Sequence, residues 1–186
     1  MKKLLFTLIG LLASLTYADK VDCALETAAK LRAERRYAEA IAVLEAIMPD
    51  VPDERLRPFM NILAKPYWME PQKAEEYLRS ALLAPCSDPT DRARTYYQLG
   101  LVLQQQKMRD KAVDALKLAL LETNAHPALL MSVYSSLSEI AEEEGNKLEA
   151  LKHCRTALAC GKRIRYKVDL SALEKRLVTL EKETNK

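Results

Sequence analysis

Two histidines, four cysteines and a run of three glutamates are the side chains of this 186-residue chain best suited to chemistry. A zinc site needs several nitrogen, sulfur or carboxylate ligands at characteristic spacing. His126 and His153 are 27 positions apart, and neither has a clustered carboxylate or thiolate partner. His126 precedes Pro127 in an expected loop, and His153 falls on an expected helix. Both read as ordinary surface or half-buried histidines. Glu142, Glu143 and Glu144 suggest acid chemistry or a metal, but three consecutive carboxylates on one helix normally form a solvated face. Cys23, Cys86, Cys154 and Cys160 contain no C-x-x-C pair, which disfavours thioredoxin-type redox chemistry. Nucleophile motifs, a glycine-rich phosphate loop and a dinucleotide fingerprint are all missing from the sequence. No catalytic residue, cofactor or metal is expected.

The amino terminus reads as an export signal. Lys2 and Lys3 precede an apolar run from Leu4 to Leu15, and Thr16-Tyr17-Ala18 leads into charged Asp19-Lys20. The run of 12 residues is short for a span, which needs roughly 20 helical residues to cross the hydrocarbon layer. Cleavage is expected after Ala18, leaving one domain over 19–186, periplasmic or secreted and without stable membrane insertion. A lipoprotein signal is excluded at Cys23, because Lys-Val-Asp precedes it.

Net charge is +3, from 29 basic and 26 acidic residues, which makes no electrostatic case for nucleic acid. Only four glycines occur, far below the roughly 7% typical of proteins. Turn-rich sheets and barrels are disfavoured, and the mixed charges suit solvated helices.

The elements that position these residues repeat. Ala40, Leu44 and Ile47 form a trio spaced by four and three, and so do Ala74, Leu78 and Ala81. Ala112, Leu116 and Ala119 follow, then Ala150, Cys154 and Ala157. This spacing puts each trio on one helical stripe. The trios begin 34, 38 and 38 residues apart. An earlier helix precedes each: Tyr96, Leu99, Gly100 and Leu103 in the third unit, Tyr134, Leu137, Ser138 and Ala141 in the fourth. The first carries a paler version, Ala24, Thr27, Ala28 and Leu31. Small residues at Ala28, Gly100 and Ser138 suit helices that approach closely. Arg35-Arg36-Tyr37, Lys107 to Asp110 and Gly145-Asn146-Lys147 mark turns, while Pro52, Pro89 and Pro127 mark unit boundaries.

Tyr96-x2-Leu99-Gly100-x2-Leu103 followed by Ala112-x3-Leu116-x2-Ala119 resembles the tetratricopeptide repeat (TPR). The resemblance covers about residues 21–162 in four units, 21–54, 55–90, 91–127 and 128–162. It implies an all-α, right-handed α-solenoid of about four TPR-like helix pairs. A C-terminal helix from Val168 to Thr184, with Leu170, Leu173, Leu177 and Leu180 on one stripe, is the expected cap. The second unit departs most. Its first helix is expected near 55–65, with Pro58 in the first turn, Lys65 at an apolar slot and Pro66 ending it early. Pro71 then starts the next helix.

In this register Cys23, Cys86 and Cys160 fall on one edge of the solenoid, while Cys154 takes the large apolar slot of its trio. An oxidising compartment makes the four thiols disulfide candidates, with the pairing open. One arrangement joins Cys23 to Cys86 and Cys154 to Cys160. The second bond requires the helix to end near Ala159, with Gly161 as terminator, because six helical residues rise about 9 Å.

The TPR resemblance further implies that first helices line a concave groove for another protein or peptide segment. The positions facing it would be Arg94, Tyr97, Gln98, Leu101, Gln104 and Gln105, then Ser135, Glu139, Glu142 and Glu143. Otherwise these are simply exposed helix positions. The Lys and Asn with which some family members grip a terminal carboxylate are missing here, so that mode is not supported. Tyrosine and glutamine grading into acid suggest a mixed or basic partner. The run Lys162 to Lys167 could meet an anionic lipid surface or acidic partner, or be a solvated link. An envelope adaptor is the leading expectation. A structural subunit contacting through its outer face or cap is the alternative, and a thiol-dependent protein using Cys86 or Cys160 is the weakest.

Overall fold

The computed structural model describes residues 17–64, 70–85, 88–122 and 126–184. Residues 1–16 of the expected signal 1–18, together with Lys65, Pro66 and Cys86, lie outside the described residues. Among the described residues there is no strand. The chain forms a right-handed α-solenoid of antiparallel helix pairs. The pairs are α1 (Tyr17–Ala33) with α2 (Tyr37–Ile47), then α3 (Asp53–Leu63) with α4 (Pro71–Leu83). Next come α5 (Pro89–Gln105) with α6 (Arg109–Leu121), and α7 (Pro127–Glu143) with α8 (Lys147–Lys162). A last helix, α9 (Ser171–Thr184), packs on α8.

All twelve residues of the four repeat trios are buried. Those of α2, α4 and α6 contribute to a core that runs from Val21 to Ile140, while Ala150 and Cys154 of α8 belong to a second cluster with Ala141, Leu151 and Leu180. Close approach demands small residues. A Cβ added to Gly100 would stand 2.8 Å from both Cγ and Cδ2 of the buried Leu116, and 3.3 Å from the Ala112 carbonyl. Ala28 and Ser138 are fully buried, and the Ser138 hydroxyl donates to the Ala150 carbonyl at 2.8 Å. That bond satisfies a hydroxyl that would otherwise be costly to bury.

The first helices of units one, three and four end in one device. Arg36 N donates to Leu31 O at 2.8 Å and Arg35 N to Arg32 O at 3.0 Å. The pattern recurs as Met108 N to Leu103 O with Lys107 N to Gln104 O, and as Asn146 N to Ala141 O with Gly145 N to Glu142 O. These are Schellman caps, whose terminating residue is left-handed. Arg35, Lys107 and Gly145 have φ of 60°, 62° and 76°. Pro89 and Pro127 start α5 and α7, where a missing N–H has no helical partner to lose.

Several expectations need correction. The first helix of unit two runs Asp53–Leu63, two residues earlier than expected, so Pro58 lies inside the helix and not in its first turn. The cap begins at Ser171, because the Asp169 carboxylate accepts the Ser171 N–H at 2.9 Å and so opens the helix there. Helix α8 continues to Lys162, so it does not end near Ala159. Cys154 and Cys160 therefore stay a full rise apart as free, buried thiols and form no disulfide. Gly161 is not a terminator either. It is buried inside α8, where a Cβ would meet Leu170 Cδ2 at 2.6 Å and Met131 Sδ at 3.0 Å.

The two glycine environments separate packing from backbone strain. Gly100→Ala is expected to cost on the order of 1–3 kcal/mol by pushing Leu116 aside. Gly145→Ala meets no atom within 4 Å, and should cost about 1–2 kcal/mol through its left-handed backbone alone. Urea midpoints measure both; an unchanged midpoint for Gly100→Ala would contradict the close helix approach.

Candidate partner-binding groove

The apolar stripes face inward, so the first helices leave part of their surface lining an open trough. Its larger section encloses ≈ 1180 Å³ between the end of α1, the start of α2, α5 from Thr90 to Leu101, the start of α7 and the link before α9. Arg94, Tyr97, Gln98 and Leu101 line it, as their spacing along α5 requires. A smaller section of ≈ 340 Å³ shares Tyr97, Leu101 and Ser132, and adds Ser135 and Glu139. Six of the ten expected groove residues are thus brought together. Gln104, Gln105, Glu142 and Glu143 line neither section.

Tyr97 joins two units. Burial, the larger effect, pushes its phenol pKa up, while hydrogen bonds with Ser136 and Ser132 of α7 act the other way. Gln98 is 7% exposed, more buried than a plain groove position, and its Oε1 has no hydrogen-bond partner. A buried acceptor left unpaired is costly unless something donates to it.

The acidic end differs from expectation. Arg176 of the cap reaches Glu139 at 2.8 Å and Glu142 at 2.6 Å. Its guanidinium is half-buried; desolvation lowers its pKa, but the two carboxylates outweigh that and the net direction is upward. Glu143 faces Arg109 at 3.2 Å. The carboxylates expected to greet a basic partner are instead used to hold the cap and to join α7 to α6.

Sequence reasoning missed Arg32, Tyr37, His126, Leu129, Ser132 and Tyr166, all of which line the larger section. His126 is not merely a loop residue. Its Nδ1 accepts the Ala128 N–H at 3.3 Å, capping α7, and its ring stacks on Tyr166 with centroids 6.4 Å apart. His153 lies elsewhere, half-buried beside Tyr134 and 3.2 Å from Glu149. Desolvation lowers its pKa despite that carboxylate. Among the described residues no group of His, Cys, Asp and Glu could hold a metal ion, and no helix is long and apolar enough to cross a membrane. Burial pushes the Cys154 and Cys160 thiols up, leaving little thiolate for chemistry.

This arrangement of helices is shared with solved structures. MamA is 23% identical with a TM-score of 0.61, the match covering 77% of this chain and 79% of that one. PilF of Pseudomonas aeruginosa is 18% identical with a TM-score of 0.73, over 92% of this chain and 72% of that one. BtubC from P. vanneervenii is 16% identical, also with a TM-score of 0.73, over 92% and 85%. At these identities the likeness establishes the helical-repeat fold. No protein-family model matches the sequence, and no curated protein matches it.

The cap closes the groove's end. Leu180 is 1% exposed, packing with Leu173 and Leu177 against Ala141, Leu151 and Cys154. Leu180→Ala is expected to cost about 2–4 kcal/mol in urea unfolding. Arg176→Ala, which removes partly exposed pairs, should cost only about 1 kcal/mol. Equal losses would mean that charge rather than apolar contact holds the cap.

Proposed function

We propose that this chain is a non-catalytic protein-interaction scaffold of the bacterial envelope, exported by its N-terminal signal and holding a partner segment in the trough lined by α1, α5 and α7. One observation carries the reading: a single uncovered groove runs across units one, three and four, and its walls offer Tyr37, Tyr97, Leu101 and Leu129. Aromatic rings with two rotatable bonds give large contact area at small entropic cost, and they commonly anchor interfaces. A solenoid supplies such a surface because each repeat contacts only its neighbours, leaving the inner face uncovered.

A second reading rests on the opposite edge. Leu83 and Leu121, at equivalent positions of α4 and α6, are 88% and 81% exposed. A structural subunit would bury both against a larger complex.

Affinity capture from envelope extract separates the two. With the groove as the site, Tyr97→Ala loses the partner by about tenfold or more, Tyr97→Phe keeps most of it, and Leu121→Lys changes nothing. Loss with Leu121→Lys and retention with Tyr97→Ala would transfer the contact to the outer edge. Thermal unfolding of Tyr97→Phe and Tyr97→Ala distinguishes lost contact from lost fold.

A further inference from the structure

The larger section of the groove has a sign. Arg32 and Arg94 line it, and among the described residues no carboxylate does. Arg94 is held only by an exposed pair with Asp91 at 2.8 Å, an interaction of little strength in water. Tyr166 brings the otherwise unassigned basic run to the rim: it lines the groove while Lys162, Arg163, Arg165 and Lys167 around it are exposed. None of these four forms an ion pair among the described residues. At the other end the acids are already compensated. Glu139 and Glu142 hold Arg176, and Asp169 caps its own helix, which lowers its pKa. The groove therefore presents positive charge that is only weakly compensated where it is wide, and satisfied negative charge where it narrows.

We propose that the occupant is an acidic polypeptide segment. Its carboxylates face Arg32, Arg94 and the run about Tyr166, and its apolar side chains lie on Tyr97 and Leu101. This rests on the groove reading above and reverses the basic partner expected from sequence. Complementary charge steers encounter and excludes wrong partners more than it adds raw affinity. Selection against basic segments is thus the property to measure.

The full chain is titrated into fluorescein-labelled peptides of about 12 residues, one alternating Asp with Leu and Phe, the other carrying Lys in place of Asp, and binding is read as anisotropy. Phosphatidylglycerol vesicles and an oligothymidine are run beside them. The Asp peptide should bind and the Lys peptide should not. The double change Arg32→Glu and Arg94→Glu should weaken it at least about tenfold. Raising salt from about 0.05 to 0.5 M should weaken it as well. Circular dichroism confirms that each variant is folded.

Tyr97-dependent binding of the Lys peptide in preference to the Asp peptide would overturn this inference and leave the groove reading intact. Asp-peptide binding unmoved by both Tyr97→Ala and the double change would place the contact off the groove and remove both. Binding of vesicles or oligonucleotide with neither peptide bound would overturn it in favour of that polyanion.

Discussion

The structure depends on how closely two helices of one unit can approach. Each second helix presents an alanine at the tightest point, Ala40, Ala74, Ala112 or Ala150, and all four are completely buried. Opposite them stand Ala28, Gly100 and Ser138 in units one, three and four, with no side chain large enough to hold the backbones apart. Short interhelical distance brings the buried Leu116 onto Gly100, and Leu44 and Leu78 are buried at the same position of their own trios. The stacking follows from that, the curvature from the stacking, and the trough from the curvature. A solenoid of this kind has no central core to fall back on, so its stability is close to a sum of unit and interface contributions.

Unit two solves the same problem with polar groups. Arg57 and Asn61 are both 2% exposed on α3. The Asn61 amide donates to Thr95 Oγ1 at 2.8 Å, and that hydroxyl donates to the Asp91 carbonyl at 2.8 Å. The Arg57 guanidinium donates to the carbonyls of Leu82 and Ala84 at the end of α4. A buried cation there suits the negative end of a helix dipole. Arg57 Nε and Nη1, Asn61 Oδ1 and Gln98 Oε1 remain without partners. This polar seam joins α3 to α5, the helix that also carries Gln98 in the groove wall.

What was legible in the sequence was the local part. Trios at four-and-three spacing, recurring every 34 to 38 residues, specify contacts between helices adjacent in the chain, and every one is realised. Contacts set by distant charge partners were not legible. Glu139 and Glu142 were expected to line the groove, yet their partner Arg176 stands 37 and 34 residues further on. Unit two looked degenerate because of Pro58, Lys65 and Pro66, while Arg57 and Asn61, which fill slots taken by Val133 and Leu137 in unit four 76 residues later, went unnoticed. A signal was present: Arg57 and Asn61 share one face at four-residue spacing, as do Thr95 and Gln98 at three. The Schellman caps escaped notice because two of the three left-handed positions carry Arg35 and Lys107, where glycine would have announced the turn. The rim residues Tyr37 and Tyr166 lie in or next to links, where periodicity says nothing about direction.

Native-state hydrogen exchange, followed amide by amide, tests the stacked-pair architecture most directly. Protection should peak in α5 to α8, which have neighbours on both sides, and fall stepwise towards α1 and α9, with α3 opening early because its helix contains Pro58 and lacks one backbone donor. A single, uniform protection level from α1 to α9, lost in one cooperative step, would show a closed globule with a shared core and would contradict the open trough.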